Sequence, residues 1–140
     1  MGCYNSVVVS APSDKVFDTL KNFHDISWSK NVITKLEVIG KKSGHEIGAK
    51  RVLNDAFHET LLSFDNENKK FTYSIDDGPG PVSKDNVKGY IGEVSVIPIT
   101  ENDTSLVVWT SRWNSSNGGV AEFCNPIYYA LLQDLKSHFS

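Results

Sequence analysis

Apolar and polar residues alternate along most of the chain, which is the pattern of β-strands with one buried face. A first, valine-rich strand is expected at about Asn5–Ser10. Six further strands are expected at about Ile33–Gly40, Gly48–Leu53, Phe57–Asp65, Lys70–Asp76, Val87–Ile99 and Thr104–Asn114. Because the connections between these six are short, we expect the strands to follow one another as an antiparallel meander.

Helical spacing of apolar residues replaces this alternation just after the first strand. Pro12 and Asp14 suit the first turn of a helix, because proline needs no amide partner there and a carboxylate favours the positive end of the helix dipole. The apolar residues that follow predict a helix that ends near Asn22 to Asp25. The next segment, Ile26–Asn31, predicts a second short helix or an ordered turn.

A long amphipathic helix is expected at the end of the chain. Apolar residues recur there at helical spacing from Val120 to Phe139, and Pro126 is expected to kink the helix. The sheet must curl around this helix to cover its apolar stripe, so we expect a gap between them. The predicted fold class is α+β, with a seven-stranded curved antiparallel sheet wrapped around a long C-terminal helix and two short helices after the first strand.

Two charged residues, Arg51 and Glu59, interrupt the apolar pattern of consecutive strands. If Asn54–Ala56 forms a three-residue turn, Arg51 pairs with Glu59 and both lie on one mostly apolar face. A two-residue turn would shift the register and place the charges on opposite faces. Charges on an inward face are costly unless they are paired or used, so this pair is the first candidate for a functional site.

The bulk properties of the chain narrow the classes of function. With 140 residues, a single domain over residues 1–140 is expected. A net charge of -3 without a basic run argues against nucleic-acid binding, and no apolar run approaches the roughly 20 residues that membrane insertion requires. Cys3 and Cys124 define neither a disulfide framework nor a metal site, and no two histidines have ligand spacing. We expect a cytoplasmic protein with no metal and no cofactor, and the sequence gives no argument for a dimer.

An ordered set of residues gives the chain a family resemblance. The set is Ala11-Pro12 before Val16-Phe17, Trp28, Gly48-x-x-Arg51, Glu59-x-Leu61-Leu62-x-x-Asp65, Tyr73, Tyr90 and Trp109. It resembles the polyketide cyclase/dehydrase branch of the START-like (SRPBCC) superfamily, over nearly the whole chain. The resemblance implies the helix-grip fold of the birch pollen allergen, with a deep apolar cavity between sheet and helix. The central strands are also similar to lachrymatory-factor synthases, which implies that Arg51 and Glu59 lie in the pocket.

The residues expected to line this cavity are mostly aromatic or aliphatic. The candidate ligand-binding residues are Arg51, Leu53, Phe57, Glu59, Leu61, Phe71, Tyr73, Tyr90, Trp109, Trp113, Phe123, Ile127 and Tyr128. For each apolar residue in this set, simple filling of the core is the alternative. For Arg51 and Glu59, the alternative is a structural ion pair, because breaking a buried pair typically costs about 3–5 kcal/mol.

Three functions are compatible with this pattern. The first is binding or transport of a small, mostly apolar or amphipathic ligand in the cavity. The second is a cyclase/dehydrase- or isomerase-like enzyme, with Glu59 as the acid/base and Arg51 as the holder of an anion or oxyanion. The third is an interaction module that acts through its surface, for which the sequence offers little, since no exposed apolar run stands out.

Overall fold

The computed structural model describes all residues from 1 to 140 and contains one main sheet and two α-helices. In chain order the elements are β1 (Gly2–Val9), α1 (Ser13–Leu20), a 3₁₀ turn (Ser27–Ser29), β2 (Leu36–Ile39), β3 (Lys50–Leu53), β4 (Phe57–Asp65), β5 (Lys70–Asp77), a second 3₁₀ turn (Gly80–Val82), β6 (Val87–Lys88), β7 (Ile91–Ile99), β8 (Thr104–Arg112), β9 (Ser115–Ser116) and α2 (Val120–His138). No helix is long and apolar enough to cross a membrane.

Seven strands form one antiparallel sheet in the order β1-β8-β7-β5-β4-β3-β2. The register of β4 against β5 shifts twice, once between His58 and Glu59 and once between Leu61 and Ser63. Such bulges bend a strand and strengthen its twist, which helps the sheet to curve. The predicted α+β helix-grip fold is confirmed.

The largest departures from the predicted elements concern two strands. The strand expected at Val87–Ile99 is two strands, because Gly89 has a φ of 70° and turns the chain between them. The first piece, β6, pairs only with β9 in a separate two-stranded sheet. The strand expected at Ile33–Gly40 is limited to β2. The segment expected to form a second short helix or an ordered turn forms a single 3₁₀ turn.

The core lies between the sheet and α2. The helix runs through Pro126 without a break and buries one side against the sheet. The buried residues of α2 are Val120, Cys124, Tyr128, Leu131, Leu132 and Leu135. They join one continuous apolar cluster with the inward faces of the strands and of α1. The site described below lies where this cluster is incompletely filled.

Candidate functional site

The β3–β4 hairpin brings the two charged residues together. Arg51 pairs with Glu59 and Leu53 with Phe57, so the connecting turn has three residues, as predicted. Asn54 lies in this turn with a φ of 54°, a conformation that asparagine tolerates better than most residues. Its side-chain amide donates to the Val32 carbonyl at 2.9 Å, which ties the hairpin to the segment before β2. The local fold therefore fixes the register on which the site depends.

Arg51 and Glu59 form a buried ion pair. Arg51 Nε and Nη2 lie 2.9 and 2.7 Å from Glu59 Oε1, and the two residues are 4% and 5% exposed. Arg51 Nη1 donates to the Phe23 carbonyl at 3.0 Å, and the guanidinium carbon lies 3.8 Å from the centre of the Phe23 ring. The guanidinium is thus held on three sides, and it attaches the loop after α1 to the sheet.

Only one of the two carboxyl oxygens of Glu59 is hydrogen-bonded. Both bonds from Arg51 end on Oε1, whereas Oε2 takes part in no hydrogen bond and the residue lines the cavity. Burial raises the pKa of Glu59, although the neighbouring Arg51 charge lowers it. A carboxyl with a raised pKa and a free oxygen in an apolar cavity has the properties of a general acid or base.

Three phenol groups form a second polar feature, which we call the tyrosine chain: Tyr90, Tyr128 and Tyr73. Tyr90 Oη is hydrogen-bonded to Tyr128 Oη, which lies 3.0 Å from Tyr73 Oη. Trp109 Nε1 donates to Tyr73 Oη at 2.9 Å, and its ring stacks on Tyr128 with 5.1 Å between centroids. Burial raises the pKa of all three phenols, so they stay protonated and act as neutral hydrogen-bonding groups.

Gly92 on β7 makes room for Tyr73. The two residues face each other across the β5–β7 pair. A Cβ atom at position 92 would lie 2.3 Å from Tyr73 Cζ and 2.5 Å from its hydroxyl oxygen. The Tyr73 ring therefore lies directly over the backbone of β7, and this placement brings its hydroxyl within reach of Trp109.

An apolar cavity of about 30 Å³ lies beside these groups. Its lining residues are Ile26, Ile33, Arg51, Leu53, Phe57, Glu59, Tyr73, Ile75, Trp109, Cys124, Ile127, Tyr128 and Leu131. A space of this size holds about two water molecules. Phe57 and Ile127 are the only lining residues that are partly exposed, so the mouth of the cavity lies between the β3–β4 hairpin and α2. Phe123 stacks on Phe57 there, with 6.3 Å between ring centroids.

Eight of the thirteen predicted ligand-binding residues line this cavity. They are Arg51, Leu53, Phe57, Glu59, Tyr73, Trp109, Ile127 and Tyr128. The other five lie outside its wall. Leu61 and Phe71 fill the core, Tyr90 and Trp113 stack on each other 5.8 Å apart beyond Tyr128, and Phe123 lies over the mouth. Contact of any of the thirteen residues with a ligand stays a prediction.

Five lining residues are absent from the predicted set: Ile26, Ile33, Ile75, Cys124 and Leu131. Three of them carry a sequence signal. Ile75 follows Tyr73 at strand spacing, and Cys124 and Leu131 lie on the apolar stripe of α2. Ile26 and Ile33 lie outside the regular strands and helices, where no periodicity indicates the direction of a side chain.

Cys124 is the one thiol in the cavity wall. Both cysteines of the chain are free and buried. Burial raises the pKa of Cys124 to about 11, so the thiol form dominates at neutral pH and a nucleophilic role is disfavoured. No group of three or more His, Cys, Asp or Glu residues comes together in a way that could hold a metal ion.

This architecture defines a class of protein: a helix-grip protein with an apolar cavity between sheet and C-terminal helix, and a buried ion pair in the cavity wall. The chain belongs to the polyketide cyclase / dehydrase and lipid transport family, whose model matches residues 3–140. The predicted membership of this branch of the START-like superfamily is confirmed. The finer likeness to lachrymatory-factor synthases stays a prediction.

Solved structures agree with this assignment. A protein from Nitrosospira multiformis is 36% identical, with 100% of this chain and 97% of that chain covered and a TM-score of 0.97. The protein XoxI from Bacillus cereus is 21% identical, with 99% and 94% covered and a TM-score of 0.80. A protein from Thermobifida fusca is 24% identical, with 83% and 75% covered and a TM-score of 0.71. The last two show the fold alone. None of the curated proteins compared is similar to the chain.

Proposed function

We propose that this protein binds a small, mostly apolar or amphipathic ligand between the sheet and α2, as a cytoplasmic carrier in a single domain. The observation that carries the proposal is the cavity, whose wall is apolar except for the Arg51–Glu59 pair and the hydroxyls of the tyrosine chain. A few polar groups in an otherwise apolar wall are typical of ligand sites. The description of the family, which includes lipid transport, agrees with this function.

Ligand entry requires the cavity to expand. The resemblance implies a deep cavity, whereas the enclosed space is about 30 Å³ and typical ligand pockets are about 300–1,000 Å³. We expect the cavity to open at its mouth, because Phe57 and Ile127 are partly exposed there and Phe123 stacks on Phe57. Outward movement of these three side chains would join the space to solvent without disturbing the buried ion pair.

Mass spectrometry tests this proposal most simply. Under native conditions the purified protein should carry a discrete extra mass that is lost on denaturation. Replacing Ile127 with tryptophan fills the mouth and should remove that mass. Tyr129→Trp is the matched control, since Tyr129 lies on the same helix and is 59% exposed. A bare wild-type mass would contradict a ligand that is retained as cargo, and an extra mass that persists in Ile127→Trp would place the ligand elsewhere.

The second candidate is an enzyme of the cyclase/dehydrase or isomerase type. The raised pKa of the Glu59 carboxyl group and its free oxygen Oε2 favour this function. Glu59 would be the acid/base, and Arg51 would hold an anion or oxyanion. Turnover should be absent in Glu59→Gln, which keeps the shape of the side chain but cannot exchange the proton. Circular dichroism would verify that the variant is folded, and retained turnover would exclude Glu59 as the acid/base.

A further inference from the structure

We propose that the tyrosine chain donates a hydrogen bond into the cavity, and that the ligand is a small, planar, neutral molecule with a carbonyl oxygen. This inference rests on the proposed ligand binding and specifies the chemistry of the ligand. It assigns the contact with the ligand oxygen to Tyr73 or Tyr128, both of which line the cavity, instead of Arg51.

The number of hydroxyl protons provides the first argument. Each phenol has one donor proton and two acceptor lone pairs. The tyrosine chain has three hydroxyl protons but only two hydrogen bonds between tyrosines, Tyr90 with Tyr128 and Tyr128 with Tyr73. Trp109 Nε1 is itself a donor to Tyr73 and cannot accept the third proton. One hydroxyl proton of the tyrosine chain is therefore left for an acceptor outside it, at the Tyr90 end or at the Tyr73 end.

The two ends of the chain differ in their surroundings. At the inner end, Tyr90 Oη is hydrogen-bonded to Tyr128 and also lies beside the Ser111 hydroxyl and the Cys124 thiol, and a hydroxyl at this position can donate a proton to Tyr90. At the other end, Tyr73 lines the cavity. If Tyr90 donates to Tyr128 and Tyr128 to Tyr73, then Tyr73 accepts two bonds and its own proton is directed to the cavity. Successive hydrogen bonds polarise one another, which makes Tyr73 a stronger donor.

The charge of the cavity wall argues for a neutral ligand. The only full charges in the wall are those of Arg51 and Glu59, which pair with each other at 2.7 Å. The guanidinium also donates to the Phe23 carbonyl, so three of its five N–H groups are engaged. Because Glu59 already pairs with the guanidinium, the wall offers no unpaired positive charge to an anion. A neutral carbonyl oxygen accepts a hydrogen bond without needing such a charge.

The shape of the wall argues for a planar ligand. Four aromatic side chains line the space: Phe57, Tyr73, Trp109 and Tyr128. Flat rings offer their faces to an aromatic or conjugated molecule. A planar ligand also needs the least separation of α2 from the sheet, because the enclosed space is only about 30 Å³.

Three probes of similar size separate the possibilities. Acetophenone has a carbonyl, α-methylstyrene replaces the carbonyl oxygen with a CH₂ group, and benzoate replaces the methyl ketone with a carboxylate. Dissociation constants can be followed by the indole N–H resonance of Trp109 in nitrogen-15 NMR spectra. We expect acetophenone to bind about two- to tenfold more tightly than α-methylstyrene, which corresponds to one net hydrogen bond. We expect benzoate to bind more weakly than acetophenone.

Variants test whether the preference for acetophenone over α-methylstyrene depends on the tyrosine chain. In the double variant Tyr73→Phe/Tyr128→Phe the two uncharged probes should bind equally. Tyr129→Phe, at an exposed position that follows Tyr128 in sequence, should keep the preference for acetophenone. The comparison of probes on the wild-type protein remains decisive if the double variant does not fold.

The outcomes distinguish this proposal from the ligand binding on which it rests. Equal affinities of acetophenone and α-methylstyrene for the wild type would overturn the donor site and leave the cavity as a binding site. Tightest binding by benzoate would overturn the neutral ligand and favour Arg51 as an anion holder. No binding of any probe would overturn the proposed ligand binding itself.

Discussion

Replacement of Arg51 with methionine should destabilise the protein strongly, although methionine fills similar space. The substitution removes two hydrogen bonds to Glu59 Oε1 and one to the Phe23 carbonyl, all of them buried. Bonds to a charged group contribute about 1.5–3 kcal/mol and an abandoned buried carbonyl costs about 1–3 kcal/mol. These contributions agree with the roughly 3–5 kcal/mol that is lost when one partner of a buried ion pair is removed.

A double variant distinguishes the loss of one partner from the loss of the pair. Arg51→Met/Glu59→Leu leaves no buried charge, and such apolar replacements are often neutral or stabilising. It should therefore be more stable than Arg51→Met alone. Lys35→Met is the matched control, because Lys35 pairs with Asp55 at 2.7 Å on the surface, where solvent screening leaves an ion pair with little net effect on stability.

Chemical denaturation followed by circular dichroism gives the free energies of unfolding of all these proteins. We expect a large loss of stability in Arg51→Met, partial or full recovery in the double variant, and almost no change in Lys35→Met. A loss of stability in Arg51→Met no larger than that in Lys35→Met would contradict this expectation, since the buried pair would then behave like an exposed one.

Three other predictions follow from single features. Gly92→Ala should destabilise the protein by about 1–3 kcal/mol and shift the Trp109 indole N–H resonance, because Tyr73 must move; an unchanged spectrum would contradict the close approach. Cys124 should resist thiol reagents at pH 8 until the protein is denatured, because it is buried and its pKa is about 11; rapid labelling of the folded protein would contradict this. The pKa of Glu59 is raised above its usual value of 4.5, so its contribution to stability is fully present below that pH and is lost as the pH rises through the folded pKa. Denaturation at several pH values should show the wild type losing stability relative to Glu59→Gln with rising pH, and the opposite slope would contradict the raised pKa.

The sequence predicted the features that depend on local pattern. Alternation of apolar and polar residues predicted the inward face shared by Arg51 and Glu59, because side chains at every second position of a strand lie on the same face. A three-residue turn at Asn54–Ala56 predicted that the two residues pair. Helical spacing predicted α2, since one apolar stripe must cover the sheet.

Other features depend on contacts between distant segments. The break at Gly89 follows from its positive φ, which an apolar pattern does not encode, since Val87 and Ile91 continue the alternation across it. The cavity volume depends on how closely α2 packs on the sheet. Ile26 and Ile33 enter the wall from irregular segments, which Arg51 and Asn54 tie to the sheet through the Phe23 and Val32 carbonyls. No local periodicity reports such an arrangement.

Entry of a ligand into the space between the sheet and α2 can be followed directly at the isoleucine side chains of this protein. Ile26, Ile33, Ile75 and Ile127 line the cavity. Ile47 and Ile97 are exposed and serve as internal controls. In a protein with carbon-13-labelled isoleucine δ1 methyl groups, addition of acetophenone should shift the four lining methyl signals in a saturable way and leave those of Ile47 and Ile97 unchanged. Saturable shifts at the exposed methyl groups alone, or no shifts at all, would contradict ligand binding in this cavity.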